Sequence, residues 1–140
     1  MSACLLGKGC RYDGRHNEDE PLRRELLARD ETAVPFCPEE EGGLGTPRPP
    51  AWIEGGAAAV VDGAGRVVTE DGVDVTDGFL SGARKALDTC RAHGIDRAYL
   101  KERSPSCGCA HVHTSGGLVR GCGVTTAMLR RAGVAVVSVA

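Results

Sequence analysis

Seven cysteines in a chain of 140 residues is an odd number and a large share. In a secreted protein such a count points to disulfides, and in a reducing compartment to metal binding or catalysis. Three of them share a setting. Cys4 lies in the apolar opening Met1-Ser2-Ala3-Cys4-Leu5-Leu6. Cys37 ends Ala33-Val34-Pro35-Phe36 and precedes Pro38-Glu39. Cys107 lies in Lys101-Glu102-Arg103-Ser104-Pro105-Ser106-Cys107-Gly108, just past a strand pattern. There Ser-Pro-Ser stops regular structure, because proline lacks an N–H and restricts the residue before it. Three strand-end thiols far apart in sequence converge on one crevice if their strands are neighbours in a sheet. Electron-transfer clusters are normally closed by four thiolates. Three ligands leave one metal corner open to substrate, as catalytic zinc sites do. The alternative is that all three are buried structural cysteines, since free cysteine is among the most buried residue types.

The other candidates are weaker. Glu39 follows Cys37 by two residues and can act as a general base on water in the same crevice, whereas Glu40 and Glu41 read as a solvated charge run. Cys107, Cys109, His111 and His113 share one face of a strand at a spacing of two. A single straight strand cannot wrap them around a tetrahedral ion, because alternate residues stand roughly 6–7 Å apart. Cys90 falls on the apolar face of a helix and reads as core. Cys122 sits between two glycines without a distinctive context, and Cys10, in the loop beside Arg11, can reach the crevice as a spare thiol. No G-x-G-x-x-G or P-loop is present, so phosphate cradling is not supported.

The elements that must position these groups follow from periodicity. Short apolar runs at 2–6, 33–37, 97–101 and 134–139 predict strands, and 57–61 with 66–69 predict a hairpin across Asp62-Gly63-Ala64-Gly65. Pro21 opens a helix carrying Leu22, Leu26 and Leu27 on one face. Val75, Phe79, Ala83, Leu87 and Cys90 predict a long helix over 75–93, ended at Gly94, and a further helix spans 124–132 before Gly133. Pro38 to Pro50 reads as a long irregular loop, a length usually tied to function. Strands alternating with helices predict one α/β domain over 1–140, Rossmann-like, with a mostly parallel sheet and flanking helices. Ligands of such sheets bind beyond the carboxyl ends of the strands, where the three thiols fall.

Composition narrows the function classes. The formal net charge is −2, with 17 basic residues spread among 19 acidic ones, and aromatics make up 4%. Neither the charge nor the aromatic content suits a nucleic-acid platform. No apolar stretch approaches the ~18 residues of a membrane span and no signal-peptide pattern opens the chain, so a cytoplasmic protein is expected.

The motifs together resemble the thiouracil desulfidase family. They are Ser2-Ala3-Cys4-Leu5-Leu6-Gly7, Arg11-Tyr12-Asp13-Gly14, Cys37-Pro38-Glu39, Thr46-Pro47-Arg48-Pro49, the Lys101–Gly108 stretch and Gly123-Val124-Thr125. The resemblance covers nearly the whole chain. It implies a Rossmann-like fold and a [4Fe-4S] cluster held by Cys4, Cys37 and Cys107, with the fourth iron open to the sulfur of a thiolated pyrimidine base or nucleoside. It also implies catalytic roles for Glu39 and Ser104. Arg11, Asp13, Arg48 and Ser106 are the candidates for orienting the substrate. The sulfur acceptor is not specified. Two rival classes share these residues: a non-enzymatic iron–sulfur, metal-carrier or thiol redox-sensing domain, and a hydratase that uses an open iron on water.

Overall fold

The computed structural model describes residues 1–140. Its elements are α1 (Glu20–Ala28), α2 (Pro38–Glu41), β1 (Ala51–Glu54), α3 (Ala57–Val61), β2 (Arg66–Thr69), α4 (Thr76–His93), β3 (Arg97–Lys101), β4 (His111–Thr114), β5 (Gly117–Arg120), α5 (Val124–Arg131) and β6 (Ala135–Val139). No helix is long and apolar enough to cross a membrane.

The mixture of helices and strands agrees with expectation, but a mostly parallel Rossmann-like sheet is not what the pairing shows. Strands β3 and β6 are parallel, in the register Arg97–Ala135 to Lys101–Val139. The pairs β1–β2 and β4–β5 are antiparallel. The opening apolar run is not a strand: Ala3–Leu6 is a 3-10 turn. Its first residues still run between two neighbours. Ser2 N donates to Tyr99 O at 2.9 Å and Ala3 N to Phe36 O at 2.9 Å. Residues 33–37 contribute only a parallel bridge, Ser2 to Phe36. Residues 57–61 form a helix, so the true partner of β2 is β1, paired Ala51–Thr69 to Glu54–Arg66. An Ala-rich run of five residues is too short for periodicity to separate helix from strand, and alanine favours helix.

Two close approaches fix the site's frame. Helix α2 lies backbone to backbone on α4: a Cβ at Gly82 would stand 1.9 Å from Pro38 O, and one at Gly42 would stand 2.0 Å from Gly78 O. Cys37 and Glu39, at the start of α2, are thereby seated on the longest helix. On the other side, a Cβ at Gly123 would stand 2.3 Å from Ser106 O, so the Cys107 loop rests directly on the start of α5.

Candidate active site

The three cysteine-bearing segments meet. Cys4, Cys37 and Cys107 line one cavity of about 570 Å³, together with Cys10, Arg11, Glu39, Arg48, Ser104 and Ser106. That volume is typical of small-ligand sites, ~300–1,000 Å³. Asp13 does not line it. Its carboxylate accepts from Arg15 Nε at 2.9 Å and lies 3.6 Å from Arg11 Nε, tying the loop to itself. Cys90 packs in the core as expected. Cys109 is buried in that same core and its thiol faces Cys107 O at 3.5 Å, while His113 reaches the cavity rim from β4. Cys107, Cys109, His111 and His113 therefore do not assemble around one point.

Each thiol is held by its local structure. Cys4 follows the paired Ser2–Ala3 segment, and Asn17 Nδ2 lies 3.9 Å from its sulfur in donor geometry. Asn17 is itself held by Arg11 Nη1 at 2.9 Å, so Arg11 acts on Cys4 through Asn17. A hydrogen bond from Cys10 is the main influence on Cys4; burial opposes it, Asn17, Lys101 and Arg11 add to it, and the thiol is pulled down to about 7. Cys37 is likewise lowered to about 7, first by Cys10, against burial, then by the Glu40 amide and Arg48. Cys10 moves the opposite way. Wedged between two sulfurs that ionise more readily, it keeps its proton well above the usual thiol range. Burial pushes Cys107 up to about 12. A thiol so shielded becomes a thiolate only against a cation, and metal coordination deprotonates a thiol outright.

The Cys107 loop is over-determined. Ser104 Oγ accepts from Ser106 N and Cys107 N, both at 3.1 Å. This leaves the Ser104 proton free to point into the cavity. Ser106 Oγ is paired with Thr125 Oγ1 at 3.1 Å, and Thr126 Oγ1 donates to Cys107 O at 3.0 Å. Glu102 closes the far side. Its Oε1 accepts from the amides of Cys109, Ala110 and His111 at 3.0, 3.1 and 2.9 Å, and Ser138 Oγ donates to its Oε2. Burial works against this carboxylate, but those hydrogen bonds win and bring it to about 2. Because folding lowers its pKa, its contribution to stability is full above pH 4.5 and is lost as pH falls towards about 2. Glu102→Gln is expected to cost about 1 kcal/mol at neutral pH, a value discounted for partial exposure. It should also flatten the stability profile in that acid window, as measured by denaturant midpoints. An unchanged acid limb would show that Glu102 does not carry it.

Glu39 and Arg48 form the site's buried ion pair, with side-chain exposures of 12% and 8%. Arg48 Nε donates to Glu39 Oε2 at 2.6 Å, and Nη2 contacts the same oxygen. No protein hydrogen bond reaches Oε1. Burial raises the Glu39 pKa, and Arg48 only partly offsets it. Arg48 also donates to Cys10 O at 2.8 Å and Gly45 O at 2.9 Å, while its own amide donates to Tyr12 O at 2.8 Å. It thus binds the 7–17 and 42–50 loops around the acid. Glu40 is not the solvated neighbour its charge run implied. Its Oε1 accepts from Thr46 Oγ1 at 2.9 Å and its Oε2 lies 2.9 Å from Lys8 Nζ. The sequence alone gave Glu40 no signal beyond a charge run, because its partners lie in two other loops.

The donor set fits an iron–sulfur cluster. Three thiols from separate segments face one cavity large enough for a cubane and a small ligand, and the deepest of them needs a cation in order to ionise. Comparison with known proteins points the same way. A family model described as 2-thiouracil desulfurase matches residues 1–140. The uncharacterized protein YbbK of Bacillus subtilis (strain 168) is 42% identical over 142 residues, which cover 99% of this chain and 93% of that protein. The solved structure of the [4Fe-4S]-dependent thiouracil desulfidase TudS aligns with a TM-score of 0.85 and 46% identity, covering 98% of this chain and 87% of that one. On sequence over its full length and on fold, the chain belongs to the 2-thiouracil desulfurase family.

Proposed function

We propose that this chain is a [4Fe-4S]-dependent desulfidase that hydrolyses a thiolated pyrimidine, with 2-thiouracil as the type substrate. The carrying observation is the convergence of Cys4, Cys37 and Cys107 beside the Glu39–Arg48 pair in one cavity. The net reaction is redox-neutral: a thiocarbonyl and water give a carbonyl and hydrogen sulfide. Cys4, Cys37 and Cys107 hold the cluster. When bound, the cluster supplies a soft Lewis-acidic iron for the thiocarbonyl sulfur, which makes the attached carbon electrophilic.

The chain's own groups do the rest. Glu39 Oε1, free of protein donors, takes a proton from the attacking water. Arg48 fixes the other oxygen, so the acid cannot swing away. The Ser104 hydroxyl, whose oxygen already accepts two amides, donates its proton towards the pyrimidine ring. Trp52, Pro49 and Pro50 line the same cavity and offer apolar surface to a flat ring. Arg11 and Arg48 order the loops about the substrate, Ser106 supports the Cys107 loop, and Asp13 holds Arg11. The seven free cysteines suit a reducing cytoplasm.

Anaerobic purification should give a brown protein with roughly four irons per chain that releases sulfide from 2-thiouracil. Stoichiometric zinc in place of iron, after iron-replete anaerobic expression, would count against the cluster. A full cluster with turnover of aconitase-type substrates and no sulfide would favour the hydratase.

A further inference from the structure

The desulfidase reading assigns no task to Cys10 or Glu40, yet both face the cavity's thiol cluster. Cys10 is 2% exposed. Its sulfur, that of Cys37 and a Glu40 carboxylate oxygen all lie within 4.8 Å of one another. The Cys10 side chain also packs in one buried cluster with Cys4, against which Cys37 lies. A second observation is independent of the thiols: Glu40 Oε2 is buried and has no hydrogen-bond partner, its one contact being the ion pair with the exposed Lys8 Nζ at 2.9 Å. A buried carboxylate held on this side only by an exposed lysine, beside converging sulfurs, can be given up to a cation.

We propose that these residues form a second metal site, for one borderline-soft divalent cation such as zinc, built from the Cys4, Cys10 and Cys37 thiolates and the Glu40 carboxylate. Three sulfurs and one oxygen make the tetrahedral donor set zinc takes in closed sites. With Zn–S bonds of about 2.3 Å, ligand atoms around a tetrahedral ion lie ~3.8 Å apart. The 4.8 Å spread of Cys10, Cys37 and Glu40 therefore closes with side-chain shifts of under ~1 Å, and Cys4, packed in the same cluster as Cys10, moves in as the fourth ligand. Binding releases the thiol protons, and the excess negative charge faces Arg48 and Arg11. Lys8, whose side chain is 57% exposed, can leave Glu40 for solvent as the ion takes its oxygen. The site stands independently of the desulfidase reading but shares Cys4 and Cys37 with it, so ion and cluster exclude each other. Cys107 serves the cluster alone, and Cys10 serves the ion alone.

The test uses the full chain, stripped of metal and reduced under argon. Cobalt(II), as the spectroscopic probe, should bind one per chain with a thiolate-to-metal charge-transfer band, and zinc should displace it. Zinc affinity should fall by more than the ~100-fold that loss of a mere supporting partner costs in Cys10→Ala, and likewise in the volume-matched Cys10→Ser. Glu40→Gln should weaken it less, and Cys107→Ser should leave it unchanged. After anaerobic reconstitution, Cys10→Ser should keep its iron and Cys107→Ser should not. Parental zinc affinity in both Cys10 variants overturns the site. Equal loss of zinc in Cys107→Ser overturns the assignment of ligands, and loss of iron in Cys10→Ser makes Cys10 a cluster ligand instead. A parent that binds zinc this way but never takes up iron would sink the cluster reading and leave this site standing.

Discussion

Cys107→Ser is expected to abolish cluster retention and with it sulfide release. Iron should fall from roughly four per chain to near zero after anaerobic reconstitution, because a cubane with three protein thiolates has none to spare. The fold should survive. Serine is close to isosteric, and burying its hydroxyl costs ~1–3 kcal/mol. Cys109→Ser is the internal control. It lies two residues away in the same loop, is buried to a similar extent, 7% against 5%, and packs in the same core with Cys90, Ala98 and Leu129, but only Cys107 also lines the cavity. Iron loss in Cys109→Ser with full retention in Cys107→Ser would show that the loop presents the other thiol.

That contrast was legible in the sequence for a physical reason. Strand β3 ends at Lys101, and the proline of Ser104-Pro105-Ser106 keeps the chain from resuming regular structure, so Cys107 stands in a turn outside the sheet. The side chain at 109 is then placed by Glu102, whose three amide contacts at Cys109, Ala110 and His111 depend on the turn having formed. Strand β3, both long helices and β6 were equally legible, since each carries enough residues for its period to show. What failed was short. The run 57–61 gave no period, and β1 was hidden because Pro49-Pro50 reads as loop although Ala51 begins a strand. The β4–β5 hairpin was hidden too, its strands of four residues carrying histidines, glycine and arginine rather than an alternating apolar pattern. The parallel frame also shrank: residues 1–3 do lie beside β3, with Phe36 on their other side, but the chain curls into a 3-10 turn at Ala3 before a strand can extend.

The site's thiols could be found from local context, whereas its ion pairs could not. Arg48 lies nine residues from Glu39 across a glycine- and proline-rich loop, and no periodicity relates them. Their meeting depends on α2 being pressed against α4 at Gly42 and Gly82, which aims Glu39 at the loop's return. Cys10 is similar. Its approach to Cys4 and Cys37 follows from Arg48 drawing in its carbonyl, a contact between residues 38 positions apart.

Glu39→Gln is expected to lower turnover by ~10²–10⁴-fold, the usual contribution of a general base, while the cluster stays bound. The amide keeps the shape and can still accept from Arg48, so the loops held by Arg48 Nη1 and Nη2 at Gly45 and Cys10 should remain in place. It cannot take a proton from water. KM should move far less than kcat, because the sulfur contact and the apolar walls are untouched. The pH profile gives the sharper signature. Burial raises the Glu39 pKa above the ordinary carboxylate value, and the base is active only when ionised, so the parent's rate should rise with pH through that raised value. The variant should lose that limb. Glu39→Asp, which retains the charge but withdraws it by one methylene, should recover part of the rate and the limb. Glu41→Gln, at the exposed end of α2, should behave as the parent. The deciding measurement is sulfide release by cluster-replete Glu39→Gln beside the parent across the acid range. Near-parental rates with the same acid limb would remove Glu39 from the proton transfer and leave its pairing with Arg48 as a purely positioning contact.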